Sequence, residues 1–267
     1  MPCGIGGISS FRPLTEKDMI QGHNLLASLT RRGEDAWGYF DGQTVFKEPG
    51  CFLDSVKYDT LIGDVLSTGT NLFLCHTRHA TRGDPEENQN NHPFDLGPFV
   101  FAHNGMLFKT DPFRNPTDIE TDSYWMLWWI NEEYKKYGRT PIAIQKGLEH
   151  VVGNYACWLH NRDEGKTYLF RNAERLVGTY FVPEEGRVIF GSDWLSLADA
   201  FGVPQGLRTK EWIEGKFIPA KPYAIYEVGD GEISQVAGIR VPPPLVPRQW
   251  WRFWRQFGHL DKYTGDP

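Results

Sequence analysis

The chain has 267 residues, 40% hydrophobic and 14% aromatic, enough to close a substantial core in one large domain or two small ones. Its net charge of −6 contains no long run of either sign, which sets aside a nucleic-acid surface as the main function. The longest apolar run, residues 125–130, is far too short to span a bilayer, no signal segment opens the chain, and the four cysteines lack CxxC spacing; these predict reduced thiols in a cytoplasmic protein with no membrane span.

The first stretch is Met1-Pro2-Cys3-Gly4-Ile5-Gly6-Gly7-Ile8, and residues 4–11 read as a strand. Once Met1 and Pro2 are removed, Cys3 carries both a thiol and a free α-amine, whose pKa of about 8 lets it act as a base. The glycines would let the backbone approach a substrate closely. Taken alone, the stretch reads first as an ordinary buried cysteine in a strand. Thr15 caps a helix with an apolar stripe of Met19, Ile20, Leu25, Leu26 and Leu29, which stops at a polar turn over residues 31–35. Residues 37–40 and 43–47 pair as a hairpin across Asp41-Gly42, and residues 61–66 form a short helix.

Residues 72–75 are a buried strand feeding into His76-Thr77-Arg78-His79-Ala80-Thr81-Arg82-Gly83; residues 99–102 are another, ending in His103-Asn104-Gly105. Polar clusters at the ends of apolar strands are a usual way to mount a site on a rigid scaffold. Thr121 opens a helix to residue 137 with Trp125, Trp128 and Trp129 as core, and Thr140-Pro141 opens another to residue 151. Strands follow at 155–159, 167–171, 179–182 and 188–191, then a short helix capped by Ser192-Asp193, then a hairpin of 223–228 and 233–236. Tight turns between strands, with helices in separate blocks, predict an α+β protein with antiparallel sheets. Residues 241–247 are proline-rich and residues 249–257 aromatic and basic, so the chain divides into a domain over 1–240 and a tail over 241–267. The tail reads first as packing back on its own domain; docking to a partner and adsorption at a membrane surface stay open.

An enzyme acting on free glutamine needs a guanidinium for the α-carboxylate, a carboxylate for the α-ammonium, a nucleophile for the side-chain amide and two aimed donors for the tetrahedral oxygen. Arg78, Asp122, Cys3 and the Asn104-Gly105 pair suit these tasks, as one assignment among several. The motifs make it specific. Cys3-Gly4-Ile5, Arg32-Gly33-Glu34-Asp35-Ala36-Trp37-Gly38, residues 76–83, Asn91-His92-Pro93, His103-Asn104-Gly105, Thr121-Asp122-Ser123 and Gly191-Ser192-Asp193 together resemble, in order, the motifs of the glutaminase domain of class II (N-terminal nucleophile) glutamine amidotransferases. The resemblance implies a four-layer αββα sandwich of two antiparallel sheets. It implies Cys3 as nucleophile with its own α-amine as base, and Asn104 (side chain) and Gly105 (backbone N–H) as the oxyanion hole. Arg78 would bind the substrate carboxylate and Asp122 its ammonium. Thr81 and Arg82 would line the pocket, and Arg32 would hold the N-terminal residue. Glutamate and ammonia would form through a γ-glutamyl thioester, with no cofactor.

Two positions depart from the family pattern. Pro2 would block the Cys3 amine unless cleaved, and His79 stands where the family usually has Trp. Aligned with family motifs, His76, His79, His92 and His103 read as structural, with no metal; Cys51, Cys75 and Cys157 read as passive thiols. Without that context, Asn104-Gly105 reads as a hairpin turn and Arg78/Asp122 as an ion pair. Expected partners are glutamine and a separate ammonia-accepting synthase subunit, with a homo-oligomer open. Two alternatives stand: a hydrolase of another γ-glutamyl amide, and a silent assembly subunit in which Pro2 is retained.

Overall fold

The computed structural model describes residues 3–110, 117–209, 212 and 217–239. Two antiparallel sheets carry it. The first has seven strands in the order β11 (Ile218–Pro219), β9 (Gly178–Val182), β10 (Arg187–Gly191), β1 (Gly4–Ser10), β4 (Leu72–Arg78), β2 (Ala36–Phe40) and β3 (Val45–Pro49). The second has six, in the order β13 (Glu232–Gly238), β12 (Ala224–Gly229), β8 (Lys166–Arg171), β7 (Val151–Asn161), β6 (Phe99–Thr110) and β5 (Phe94–Leu96). Strand alternation sorts the side chains into layers. Ile5, Phe40, Leu72, Leu74, Val100, Ala102, Ala156, Trp158, Val188 and Phe190 meet in one cluster between the sheets. Ile8, Trp37, Phe73 and Ile189 turn to the outer face of the first sheet, under α1 (Glu16–Leu29), α2 (Leu61–Ser67) and α5 (Trp194–Ala200). Phe99, Phe101, Leu159 and Phe170 do the same on the second sheet, under α3 (Asp122–Tyr137) and α4 (Thr140–Gly147). This is the expected four-layer α+β sandwich.

α1 starts as the sequence predicts. Thr15 accepts from the Asp18 N–H while the Asp18 carboxylate accepts from the Thr15 N–H, a closed capping box. Ile20 is a correction: it is 45% exposed, and the buried stripe is Met19, Leu25, Leu26 and Leu29. The glycines of β1 are a second correction. A Cβ on Gly4 would stand 2.6 Å from Thr77 Oγ1, and one on Gly6 2.9 Å from Leu25 Cδ2. These glycines let α1 and β4 close on β1; their room is filled by protein.

Two strands are longer than their apolar runs. β4 continues through Arg78, because Gly4 pairs with Thr77 and Ala36 with Arg78. β6 continues through Thr110 along β7, so Asn104-Gly105 lies mid-strand and is no hairpin turn. The three tryptophans are only half-buried; Met126, Leu127 and Ile130 are the residues α3 buries completely. Met1, Pro2 and the tail over 241–267 lie outside the described residues. Among the described residues, no helix is long and apolar enough to cross a membrane.

Candidate active site

Cys3 precedes β1 and continues its alternation, so its side chain follows Ile5 toward the gap between the sheets. Its carbonyl accepts from Arg32 Nε at 2.9 Å, and Arg32 pairs with Asp193 at 2.9 Å. Ser192 Oγ accepts from the Ile5 N–H at 2.8 Å. The motif around residues 191–193 therefore fastens the beginning of β1. The Cys3 sulfur receives the His79 N–H at 3.3 Å. Burial pushes its pKa up and Asp122 adds to that, while the His79 N–H, Arg78 and Arg175 only partly offset the rise.

Arg78 closes β4 and is buried. Its Nη1 donates to Asn91 Oδ1 at 2.6 Å, and its Nη2 to the carbonyls of Arg82 at 2.7 Å and Gly83 at 2.8 Å. Of the guanidinium's five N–H donors, three thus hold the loop that follows β4. Thr81 and Arg82 are exposed on that loop. Arg82 meets the site through its carbonyl, and Thr81 makes no hydrogen bond to a site residue among the described residues. His79 touches Cys3 through its backbone, while its ring Nδ1 faces Asp35 at 3.5 Å.

The second sheet supplies the other wall. Asn104 shares the parity of Val100 and Ala102, so its side chain enters the gap between the sheets. It is 0% exposed, and neither its Nδ2 nor its Oδ1 has a hydrogen-bond partner. Gly105 pairs with Tyr155, whose N–H and C=O both engage Asn172 on the opposite side. Gly105 is therefore a non-hydrogen-bonded position, and its N–H points to the β6 edge beyond the end of β5. Two residues on, the Leu107 N–H points the same way and is taken by Asp122 Oδ2 at 2.7 Å. Asp122, at the first turn of α3, thus stands along the same edge as Gly105. A Cβ at position 105 would fall inside the Asn154 carbonyl oxygen. Arg78 and Asp122 thus lie within electrostatic reach of Cys3, Asn104 enters the same gap between the sheets, Gly105 shares an edge with Asp122, and Arg32 holds the Cys3 carbonyl.

Sequence reasoning missed Arg175 and Asn154. Arg175 acts electrostatically on Cys3, and its Nε donates to Asn154 Oδ1 at 2.9 Å. Both sit where the sequence reads as strand start and connection, with no motif to mark them. The histidines lie behind the site. His76 packs against His92 with centroids 4.1 Å apart and the rings tilted by 30°, and His103 Nδ1 is hydrogen-bonded to Ser123 Oγ at 2.8 Å. Burial holds all three neutral, pushing His76 down to about 3. Among the described residues, no group of three His, Cys, Asp or Glu side chains is placed to hold a metal ion.

The profile of the glutamine amidotransferases class-II family matches residues 19–179, well over half of the chain. The chain is 32% identical over 199 residues to glutamine–fructose-6-phosphate aminotransferase (isomerizing) of Pyrobaculum aerophilum, covering 66% of this chain and 30% of that protein. It is 29% identical over 192 residues to the enzyme of the same name from Lactococcus lactis, again 66% of this chain and 30% of the relative. The chain thus spans about a third of the length of these relatives. The solved structure of glutamine phosphoribosylpyrophosphate amidotransferase from B. subtilis superposes with a TM-score of 0.63 at 17% identity, over 88% of this chain and 49% of that one. That likeness is one of fold, the N-terminal-nucleophile sandwich. With motifs, fold and profile in agreement, this chain belongs to the class II glutamine amidotransferases.

Proposed function

We propose that this chain is a glutaminase, releasing ammonia and glutamate through a γ-glutamyl thioester on Cys3. One observation carries the reading: a fully buried Asn104 amide without partners faces the same gap as Cys3, beside a Gly105 N–H free of its ladder. An unsatisfied buried amide costs about 1–3 kcal/mol. A tetrahedral oxyanion arriving between Asn104 Nδ2 and the Gly105 N–H would supply the missing acceptor when charge develops.

Arg78 retains N–H donors for the substrate carboxylate, and Asp122 accepts its ammonium. Thr81 and Arg82 border the carboxylate from the loop that Arg78 anchors. Arg32 positions Cys3 through its carbonyl. Because burial raises the thiol, it needs a base at neutral pH. The α-amine exposed by removal of Met1 and Pro2 takes the thiol proton as sulfur bonds to the side-chain amide carbon, Cδ of glutamine. The same ammonium then protonates the departing nitrogen as the C–N bond breaks, and ammonia leaves. Water, deprotonated by the amine, cleaves the thioester to glutamate and restores the thiol. The relatives' names pair glutamine with an acceptor, so the ammonia is intended for an acceptor activity in a partner synthase.

The test is the intact mass of untagged protein, with glutamate release assayed on the same sample. A mass beginning at Cys3, with turnover that Cys3→Ala abolishes, is the expected result. A mass retaining Pro2 without turnover would sink the enzyme reading in favour of a silent subunit. Preference for larger γ-glutamyl amides over glutamine would replace glutamine as the substrate.

A further inference from the structure

Arg175 has no part in the chemistry above, yet it stands at the site. It lies between β8 and β9, and its Nε–H donates to Asn154 Oδ1 at 2.9 Å. The same oxygen accepts the Met106 N–H at 2.9 Å. The Asn154 carbonyl accepts from His103 Nε2 at 3.2 Å and packs against Gly105 so closely that no Cβ fits. Asn154 therefore touches the residue before Asn104 and the two after it, and Arg175 braces Asn154. The two terminal nitrogens of Arg175 make no hydrogen bond among the described residues, and the side chain is half-buried.

The charges facing the Cys3 sulfur come from three elements: Arg78 on β4, Asp122 on α3 and Arg175 between β8 and β9. Arg32, on the Cys3 carbonyl, is paired with Asp193; Asp35 and Asp84 face Arg78; Arg32 and Glu174 face Arg175, which in turn faces His103. Arg78 is committed to Asn91 and two loop carbonyls. Among the described residues, Arg175 is a cation acting on the sulfur whose two terminal nitrogens make no hydrogen bond.

We propose that Arg175 is a positioning residue of this site: braced on Asn154, it fixes the Asn104–Met106 segment and presents positive charge to the Cys3 sulfur, favouring the thiolate that attacks and later departs. The proposal rests on Cys3 being the nucleophile of the reading above. Its test is alkylation of Cys3 by iodoacetamide across the neutral and alkaline range, read by peptide mass mapping, in wild type, Arg175→Ala, Arg175→Gln and Arg175→Lys. The Ala and Gln variants are expected to raise the Cys3 midpoint by about one pH unit. Their alkylation at neutral pH then slows about tenfold, while Arg175→Lys keeps most of the native rate. Cys75 and Cys157 are buried and stay unmodified wherever the fold is intact, and Arg175→Gln serves if Arg175→Ala does not fold. With glutamine as substrate, the same variants lower kcat about tenfold with KM unchanged, since the oxyanion donors act on the transition state. Superimposable alkylation profiles in wild type, Ala and Gln variants overturn the proposal, whether or not glutamine turns over. A chain inert toward glutamine whose Cys3 profile still moves with Arg175 overturns the glutaminase reading and leaves the role of Arg175 standing.

Discussion

The Asn104 amide is fully buried with both of its polar atoms unpartnered, while Gly105 beside it has no space for a Cβ. Substitution at these two neighbours is therefore expected to act in opposite ways. Asn104→Ala removes an unsatisfied polar group, so its stability stays within about 1 kcal/mol of wild type or rises. Its kcat for glutamine falls by about 10²–10³, the usual effect of deleting one oxyanion donor. Gly105→Ala forces a methyl into the Asn154 carbonyl, and the strand has to shift. Its expected cost is about 1–3 kcal/mol or more, with activity lost alongside. Urea melts and glutamate release on both variants check the pair. An Asn104→Ala protein that is clearly destabilised yet active would mean that the amide has another task.

Three strands carry histidines whose burial opposes protonation in the folded chain. His76 on β4 is pushed down to about 3 and His160 on β7 to about 4, both chiefly by burial; His103 on β6 and His92, just before β5, are also lowered. The unfolded chain binds protons at these residues below about pH 6.5, and the folded chain does not. Their titration therefore takes nothing from stability above that pH. Stability falls as pH drops from about 6.5 toward 4 for His160 and toward 3 for His76, by up to about 1.4 kcal/mol per pH unit for each residue. Urea midpoints taken through this window should show that slope, and His160→Gln, at the far end of β7 from Asn154, should reduce it by one proton's share. A flat profile down to the carboxylate range would refute the neutral-histidine account. The same strands show what a sequence reveals and what it hides. The apolar runs at 72–75 and 99–102 locate β4 and β6 well. Their ends are invisible, because Thr77, Arg78, Asn104 and Gly105 are kept in the ladder by pairing with Gly4, Ala36 and β7 instead of by apolar burial. The site sits where the strands stop being apolar. Motif resemblance could reach it; periodicity alone could not.

At the scale of the whole molecule, the site exists because two sheets face each other. Cys3 stands just before β1 of the first sheet, Asn104 and Gly105 lie in the second, and the strands flanking β1 come from residues 72–78 and 187–191. No local pattern predicts that β10 pairs with β1, since the contact spans most of the chain. Arg175 and Asn154 are illegible for the same reason, their meaning lying in contacts between residues distant in sequence. What sets the width of that gap is legible now. Trp158 is fully buried in the cluster between the sheets, and its Nε1 donates across the gap to the Cys75 carbonyl at 3.1 Å. Trp158→Ala should cost about 3–5 kcal/mol, and Trp158→Phe less, since it loses the cross-gap bond but keeps most of the apolar volume. If the spacing of the sheets fixes Cys3 against Asn104, kcat for glutamine should fall in Trp158→Phe at temperatures where it remains fully folded. KM should change little, because Arg78 is held by its own loop. Thermal melts and steady-state kinetics on the two variants decide it. A folded Trp158→Ala protein with wild-type kcat would show that the donors are aligned by β6 and its local braces alone, independent of the core that joins the sheets.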